Sequence, residues 1–338
     1  MMRYLMAIVI GISLFAGAAN AADKTPVKFI MDWAFEGAQA IWPAARESGC
    51  FAENNLDVKI DRSFGSGDAL GKLASGAYDI GVADFTSLIN YNAAHPSDKI
   101  TAVLIISERS AMSVVTLKKY NITKPQDLVG KRIADQQGEA SRVMFPAFAK
   151  ANNIAADSIN WVSVAPNLRQ PILLKGEADA AAGHVFTIMM GLRALGIKDE
   201  DMVQIPYADW GVRVFGNSVI VKKEWAAAHP EATRAFVKCA ISGIKLSIAN
   251  PKQSISWLKK YNSLINEGLE LEGLQFSSNR AILTDEAKKN GLSTFSNEQL
   301  DQILTQISDA LQIKKPPQDE IWTPAYLPPV DQRQLQSN

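Results

Sequence analysis

Residues 27–58 read VKFIMDWAFEGAQAIWPAARESGCFAENNLDV. An apolar run, Val27–Met31, ends in Asp32-Trp33, and the following segment, Phe35–Ser48, is rich in small and apolar residues and closes on Gly49. From Asp57 onward, apolar and polar residues alternate. A strand, a helix and a second strand in this order are typical of a parallel sheet with helices packed on its faces. The stretch therefore predicts an α/β fold.

The segment that precedes this stretch has the features of an export signal. Met1–Ala21 contains the basic Arg3, an apolar run over Leu5–Ala18 and the small residues Ala19-Asn20-Ala21, which form an A-x-A cleavage site. The apolar run is short for a membrane span. We therefore expect a signal peptide over residues 1–21, a mature chain that starts near Ala22, and an exported, periplasmic protein.

Strand-like and helix-like segments alternate along the rest of the chain in two successive sets. The pattern predicts largely parallel sheets covered on both faces. Beyond residue 211 there is one more extended run, and from Pro230 to Ala249 the apolar residues recur at helical spacing. The predicted strands are Val27–Met31, Asp57–Arg62, Asp79–Ala83, Thr101–Ser107, Val114–Lys118, Lys131–Asp135, Asn160–Val164, Ala178–Ala182 and Val203–Pro206.

Two α/β sets followed by a helical segment predict two domains, the first of them discontinuous. We place domain I at residues 23–113 plus 215–330, domain II at 114–214, and a polar tail at 331–338. The chain would cross between the domains twice, near Ser113 and near Gly211–Asn217, as a two-strand hinge. Such an arrangement leaves a cleft that can close over a ligand.

The composition excludes several classes of function. Lys and Arg together number 35, as do Asp and Glu, and no basic stripe or acidic tail is visible, so nucleic acid and anionic membranes are poor candidate partners. Cys50 and Cys239 lie in apolar helical contexts, and we expect buried free thiols, with a disulfide as the alternative. No cluster has metal-ligand spacing and no nucleophile motif is present, so the sequence predicts no metal, no cofactor and no catalytic residue.

Five segments, in this order, resemble the family of periplasmic binding proteins for nitrate, sulfonates, taurine and thiamine pyrimidine precursors. They are the opening stretch, GSGDALGKLASGAYDIGVADFTSLI (65–89), DLVGKRIADQQGEASRVMFPAFAKANNI (127–154), LLKGEADAAAGHVF (173–186) and FGNSVIVKKEWAAAHPEA (215–232). The resemblance implies the two-lobed, type II periplasmic binding-protein fold and delivery of a small solute to an ABC-type permease. Related fungal pyrimidine synthases carry a cysteine-rich motif that this sequence lacks, which argues against an enzyme.

Ligand contacts are expected where the strands end, because the loops from both lobes face the cleft there. Asp32 and Trp33 follow the first strand and would supply an acceptor and an aromatic wall. Ser66 and Gly67 open a helix whose N–H groups could face an anion or a carbonyl, or Asp68 could merely cap that helix. Asp84 could either cap the next helix or accept a hydrogen bond from the ligand.

In the second α/β set, Glu139 lies at a helix start, where its carboxylate would repel an oxoanion or simply complement the helix dipole. Arg169 could reach a carboxylate on the ligand or form a salt bridge to the other lobe. His184 and Phe186 follow a strand and should lie near the cleft, although a lone histidine is more often structural.

Tyr207, Asp209 and Trp210 precede the return crossing and predict either a stacking wall with an acceptor or hinge packing. The predicted site is thus aromatic and richer in carboxylates than in basic groups. It favours a planar or heteroaromatic, pyrimidine-like ligand, bound by a monomer that passes it to the permease. The alternatives are a carboxylate or sulfonate ligand, a ligand-sensing subunit of a membrane receptor, or an exported enzyme that would use Asp32 with His184.

Overall fold

The computed structural model describes residues 24–335, and it forms two five-stranded sheets with helices packed on them. The predicted signal peptide at residues 1–21 lies outside the described residues. All nine strands predicted above have a counterpart, and a tenth strand forms after the second crossing.

The first sheet has the strand order β2-β1-β3-β10-β4. Strand β1 runs parallel to β2 and β3, whereas β10 is antiparallel to both of its neighbours. The strands are β1 Thr25–Met31, β2 Leu56–Arg62, β3 Ile80–Asp84, β4 Ile100–Ile105 and β10 Asn217–Lys222.

The second sheet repeats this plan with the order β7-β6-β8-β5-β9. Strand β6 is parallel to β7 and β8, and β5 is antiparallel to β8 and β9. The strands are β5 Met112–Leu117, β6 Arg132–Asp135, β7 Asn160–Ser163, β8 Ala180–His184 and β9 Met202–Pro206.

Each reversed strand follows a crossing between the two sheets. The chain leaves β4 for β5 through residues 106–111 and returns from β9 to β10 through residues 207–216. Because each crossing starts at the carboxyl end of a parallel strand, the next strand must begin at that same end and run back. The crossings pair with each other, since Ser110 N donates to Val214 O and Gly216 N to Ser107 O. We name the part that contains the first sheet lobe one and the part that contains the second sheet lobe two.

Prolines break two helices that the sequence predicts as continuous. The predicted helix Phe35–Ser48 is a short 3-10 turn, Gly37–Gln39, followed by a helix from Ile41, with Pro43 in its first turn. The sequence of residues 141–152 also favours one helix, and in the structure this segment divides before Pro146. Proline has no N–H for the helical ladder, so it is tolerated in a first turn and not further along.

The α-helices pack on the two sheets. They are α1 Ile41–Glu47, α2 Cys50–Glu53, α3 Ser66–Ala74, α4 Phe85–Ala94, α5 Ala140–Val143, α6 Phe145–Ala151, α7 Arg169–Lys175, α8 Val185–Ala194, α9 Lys223–Ala228, α10 Pro230–Ala249, α11 Pro251–Leu258, α12 Glu267–Ser277, α13 Asp285–Asn290, α14 Asn297–Leu311, α15 Gln318–Ile321 and α16 Val330–Arg333. Within the described part of the chain, no helix is long and apolar enough to cross a membrane.

A disulfide joins Cys50 to Cys239, so the expectation of free thiols is wrong. Cys50 begins α2 and Cys239 lies on the buried face of α10, and their Cα atoms are 5.6 Å apart. Helix α10 reaches this position because it packs closely on α1: a Cβ on Gly243 would collide with the backbone oxygen of Ile41. The bond therefore ties two segments of lobe one that are 189 residues apart in sequence.

The last described segment, up to Leu335, packs against lobe one. Trp322 pairs with Ala102 beside β4, and Arg333 donates to the backbone oxygen of Leu292 and to Thr294 Oγ1. Leu335 is only 4% exposed. The described part of the predicted polar tail is thus a short helix with buried contacts. The predicted domain boundaries remain a prediction.

Candidate functional site

A small cavity of about 30 Å³ lies between the lobes, where the carboxyl ends of the parallel strands meet. We name it the inner cavity. Its walls come from the loop after β1, the start of α3, the start of α5, α7 and the start of α8. The residues that line it are Asp32, Trp33, Glu36, Gln39, Gly65, Ser66, Glu139, Ala140, Arg169, His184, Phe186 and Thr187.

Asp32 is the first residue after β1 and is 5% exposed. Its two carboxylate oxygens accept hydrogen bonds from Gln39 Nε2 at 3.0 Å and from Asn217 Nδ2 at 2.8 Å. Burial raises the pKa of Asp32, and the nearby His184 together with these two donors opposes that rise. The second partner, Asn217, begins the reversed strand β10, so the topology of the first sheet positions Asp32.

Asp84 ends β3 and caps α4, because its Oδ1 accepts from the backbone N–H of Thr86 at 2.9 Å. Its other oxygen, Oδ2, is buried and has no hydrogen-bond partner within the described residues. Burial raises the pKa of Asp84 to about 6, although the charge of His184 opposes this rise. The Ser66 hydroxyl accepts from the Asp84 N–H at 2.9 Å, so Ser66 holds this strand end.

Arg169 is 1% exposed and faces the inner cavity from α7 of lobe two. Its Nη1 donates to Glu139 Oε2 at 2.7 Å and to the Ala182 carbonyl at 2.8 Å. The guanidinium also lies over the ring of Trp33, 5.4 Å from its centroid. Gly183 makes room for this arrangement, because a Cβ there would overlap the guanidinium. Arg169 thus neutralises Glu139 within its own lobe and contacts an aromatic ring of the other lobe.

Glu36 links the lobes directly. Its Oε1 accepts from the Thr187 hydroxyl at 2.7 Å, and Thr187 lies at the start of α8 in lobe two. Burial raises the pKa of Glu36 to about 7. The hydrogen bond from Thr187 and the charge of Arg169 oppose this rise, and the charges of Glu270 and Asp32 add to it. Near neutral pH this carboxyl therefore exists in both protonation states.

A second, larger cavity of about 410 Å³ adjoins the first. We name it the outer cavity. It shares four residues with the inner cavity. Its other walls come from the loop after β1, the end of β2, the segment that leads into α7, the later part of α8 and α12. The shared residues are Trp33, Glu36, Phe186 and Thr187.

Seven of the predicted site residues line the inner cavity. They are Asp32, Trp33, Ser66, Glu139, Arg169, His184 and Phe186. Asp84 is buried beside the cavity, and Gly67 is exposed at its edge, where a Cβ would lie 4.0 Å from the Gly138 carbonyl of the other lobe.

The structure places Tyr207, Asp209 and Trp210 away from the two cavities. Tyr207 is fully buried in the core, where its ring stacks on Phe148 and its hydroxyl donates to the Ser141 carbonyl at 3.0 Å. Asp209 forms ion pairs with Arg109 and Arg280, and the half-buried Trp210 packs against the core. These contacts are hinge and core packing, and we leave the three residues out of the proposed site.

Sequence reasoning missed Glu36, Gln39, Thr187 and Asn217. Glu36 and Gln39 lie in the segment expected to be regular helix, and the break before Pro43 turns them toward Asp32 and lobe two. Asn217 would have been found by noting that a reversed strand also begins at the cleft. Among residues 24–335, no group of three or more His, Cys, Asp or Glu side chains is arranged to hold a metal ion.

This two-lobed architecture with an interlobe cavity has counterparts among known proteins. The family model described as "NMT1/THI5 like" matches residues 40–254. The chain belongs to this family. The predicted resemblance is confirmed, and so is the fold class: the periplasmic aliphatic sulphonate-binding protein SsuA from Escherichia coli has the same fold, with a TM-score of 0.70 at 15% identity over 93% of this chain and 94% of that one.

Two curated relatives are similar in sequence. The taurine-binding periplasmic protein of Escherichia coli is 30% identical over 64% of this chain, and the match spans 65% of that protein's length, slightly less than two thirds. The formylaminopyrimidine-binding protein of Halalkalibacterium halodurans is 22% identical over 69% of each chain. Both of these relatives are named for binding a solute.

Proposed function

We propose that this protein is a periplasmic solute-binding protein that holds one small ligand between its lobes and delivers it to an ABC-type permease. The ligand, in this proposal, is a planar, nitrogen-rich molecule such as an aminopyrimidine. Closure of the lobes over the ligand would be the functional step, because a ligand that contacts both lobes favours the closed state.

The observation that carries the proposal is the balance of charge in the inner cavity. Three carboxyl groups line it, those of Asp32, Glu36 and Glu139, and its one guanidinium, that of Arg169, is already paired with Glu139. Carboxylate oxygens accept hydrogen bonds and repel anions. A ligand that presents N–H donors therefore complements this cavity better than an oxoanion does.

The aromatic residues support a planar ligand. Trp33 of lobe one and Phe186 of lobe two line both the inner and the outer cavity, so that a flat ring placed where the two cavities meet could contact both lobes at once. The formylaminopyrimidine-binding relative is named for a ligand of this shape.

A sulfonate is the second candidate. Arg169 is buried at the cavity beside Trp33, and its fork of donors could turn from Glu139 to a sulfonate group. The taurine-binding relative supports this candidate, since its named ligand carries an amine as well as a sulfonate.

We also propose that the protein acts as a monomer without turnover. Asp32 and His184 line the same cavity, which is the pair an enzyme would need, but both oxygens of Asp32 accept hydrogen bonds from Gln39 and Asn217. Mass spectrometry of a bound compound before and after long incubation would detect turnover. A product that forms with the wild type and not with the His184→Ala variant would contradict this proposal.

Thermal-shift measurements with refolded, ligand-free protein test the choice of ligand. The panel contains 4-amino-5-hydroxymethyl-2-methylpyrimidine, taurine, ethanesulfonate, benzoate and nitrate. At roughly 100 times Kd, binding to the folded state adds about 2.7 kcal/mol, which is a readily measured shift. We expect the pyrimidine to shift the melting temperature. A shift with the sulfonates alone would replace the first candidate with the second, and no shift with any compound would contradict both.

A further inference from the structure

The outer cavity has a different chemistry from the inner cavity that it adjoins. Its wall combines apolar side chains of both lobes with the charged Arg62, Glu36 and Glu270 and the amides of Asn167 and Gln170. The apolar residues include Ala38, Pro171, Met190, Ala194, Leu195 and Leu269. This apolar part of the wall favours an apolar group of a ligand.

Two helices that border the outer cavity contact each other closely. Helix α12 of lobe one passes α8 of lobe two, and a Cβ on Gly273 would lie only 3.2 Å from Met190 Cγ. Outside this contact, Arg193 of α8 forms an ion pair with Glu272 of α12 at 2.6 Å. These contacts hold α8 and α12 together at the border of the outer cavity and leave its interior free.

Size separates the roles of the two cavities. A volume of about 30 Å³ holds about one water molecule, whereas 410 Å³ is in the range of small-molecule sites. The two meet at Trp33, Glu36, Phe186 and Thr187, so one molecule can extend from the first into the second.

We propose that the ligand is amphipathic: a polar, N–H-bearing head contacts Glu36 and the inner cavity, and an alkyl or aryl arm of several carbons fills the outer cavity. This inference rests on the proposed function and extends it by naming a second subsite. The polar head sets orientation, and the apolar arm supplies affinity through the burial of its surface between α8 and α12.

Two ligand series test the subsite, the 4-aminopyrimidines with a methyl, butyl or octyl group at C5 and the n-alkanesulfonates of the same three lengths. Burial of a methylene contributes about 0.8 kcal/mol, or roughly a fourfold change in Kd. We expect Kd to fall by about that factor for each methylene from methyl to butyl, measured by isothermal titration with the ligand-free protein.

Two tryptophan variants locate the effect. Ala194 is exposed at the mouth of the outer cavity, and Ala194→Trp narrows it, whereas Ala228→Trp places the same side chain on an exposed position of α9. The measured quantity is the ratio of the methyl to the butyl Kd within each protein. We expect the ratio to approach one in Ala194→Trp and to match the wild type in Ala228→Trp.

The outcomes separate the subsite from the proposed function. Pyrimidines that bind with no dependence on length, or a length dependence that Ala194→Trp leaves intact, would overturn the subsite and leave the proposed function standing. Length-dependent binding of the sulfonates alone would support the subsite and overturn the pyrimidine head. No binding by any member of either series would overturn both.

Discussion

Replacing Glu36 with glutamine tests whether this carboxyl is buried between the lobes as the structure has it. The glutamine keeps an oxygen that can accept from the Thr187 hydroxyl and resembles the protonated acid in shape. The change therefore removes the titration of Glu36 while it preserves the contact across the lobes.

The magnitude follows from the pKa of Glu36, which burial raises from 4.5 to about 7. Between these two values the folded protein binds a proton more readily than the unfolded chain does, so stability falls as the pH rises through this window. At about 1.36 kcal/mol per pH unit, the loss is at most roughly 3 kcal/mol. Because Glu36 is half-buried and borders a cavity, we expect about 1–3 kcal/mol.

The assay is thermal or guanidinium unfolding of ligand-free protein at several values between pH 4 and pH 8. Other buried carboxyls, including Asp84 and Glu108, titrate in the same window, so the informative quantity is the difference between variant and wild type. Glu36→Gln should gain stability over the wild type as the pH rises, by roughly 2 °C in Tm per kcal/mol.

The matched control is Glu177→Gln, at an exposed position that follows α7. Its stability should follow the wild type across the range. Parallel curves for Glu36→Gln and the wild type would refute the reasoning, because they would mean that the pKa of Glu36 is the same in the folded and unfolded protein.

Three further predictions concern the disulfide and the charge pair of the inner cavity. Replacing Cys50 and Cys239 with serine should lower the free energy of unfolding by about 5 kcal/mol, because the bond closes a loop with a sequence separation of 189. Guanidinium unfolding measures this loss. If a reductant left the stability of the wild type unchanged, that result would count against the bond. Arg169→Met should destabilise the folded protein by about 3–5 kcal/mol, because Glu139 loses its partner. Adding Glu139→Gln should recover part of this loss. Strictly additive effects of the two substitutions in unfolding experiments would contradict the pairing. Gly183→Ala should displace the guanidinium of Arg169, lower the stability of the fold by about 1–3 kcal/mol and weaken ligand binding. Unchanged binding in titration calorimetry would argue against this packing.

The fold could be predicted because its determinants are local. Apolar runs such as that before Asp32 mark strands, and the helices between them require parallel pairing. Asp32, Trp33, His184 and Phe186 were found for the same reason, since each lies at or just after the carboxyl end of a strand and parallel strands end at one edge. The position of each of these residues is decided by the strand next to it in the sequence.

The remainder depends on contacts between distant segments. Tyr207 also follows a strand, yet its ring turns inward because Phe148 offers a stacking partner in the core. The pairing of Cys50 with Cys239 depends on how α10 packs on α1. The contact between Glu36 and Thr187 exists only when the lobes meet. Sequence spacing carries no information on these distances.

A ligand that bridges the lobes must lose affinity when either lobe is altered, and isothermal titration of two variants measures this directly. Trp33→Ala removes a wall from lobe one and Phe186→Ala a wall from lobe two, and 4-amino-5-hydroxymethyl-2-methylpyrimidine is the probe. We predict one site per chain in the wild type and at least a tenfold weaker Kd, about 1.4 kcal/mol, in each variant. Unchanged affinity in either variant would contradict binding between the lobes.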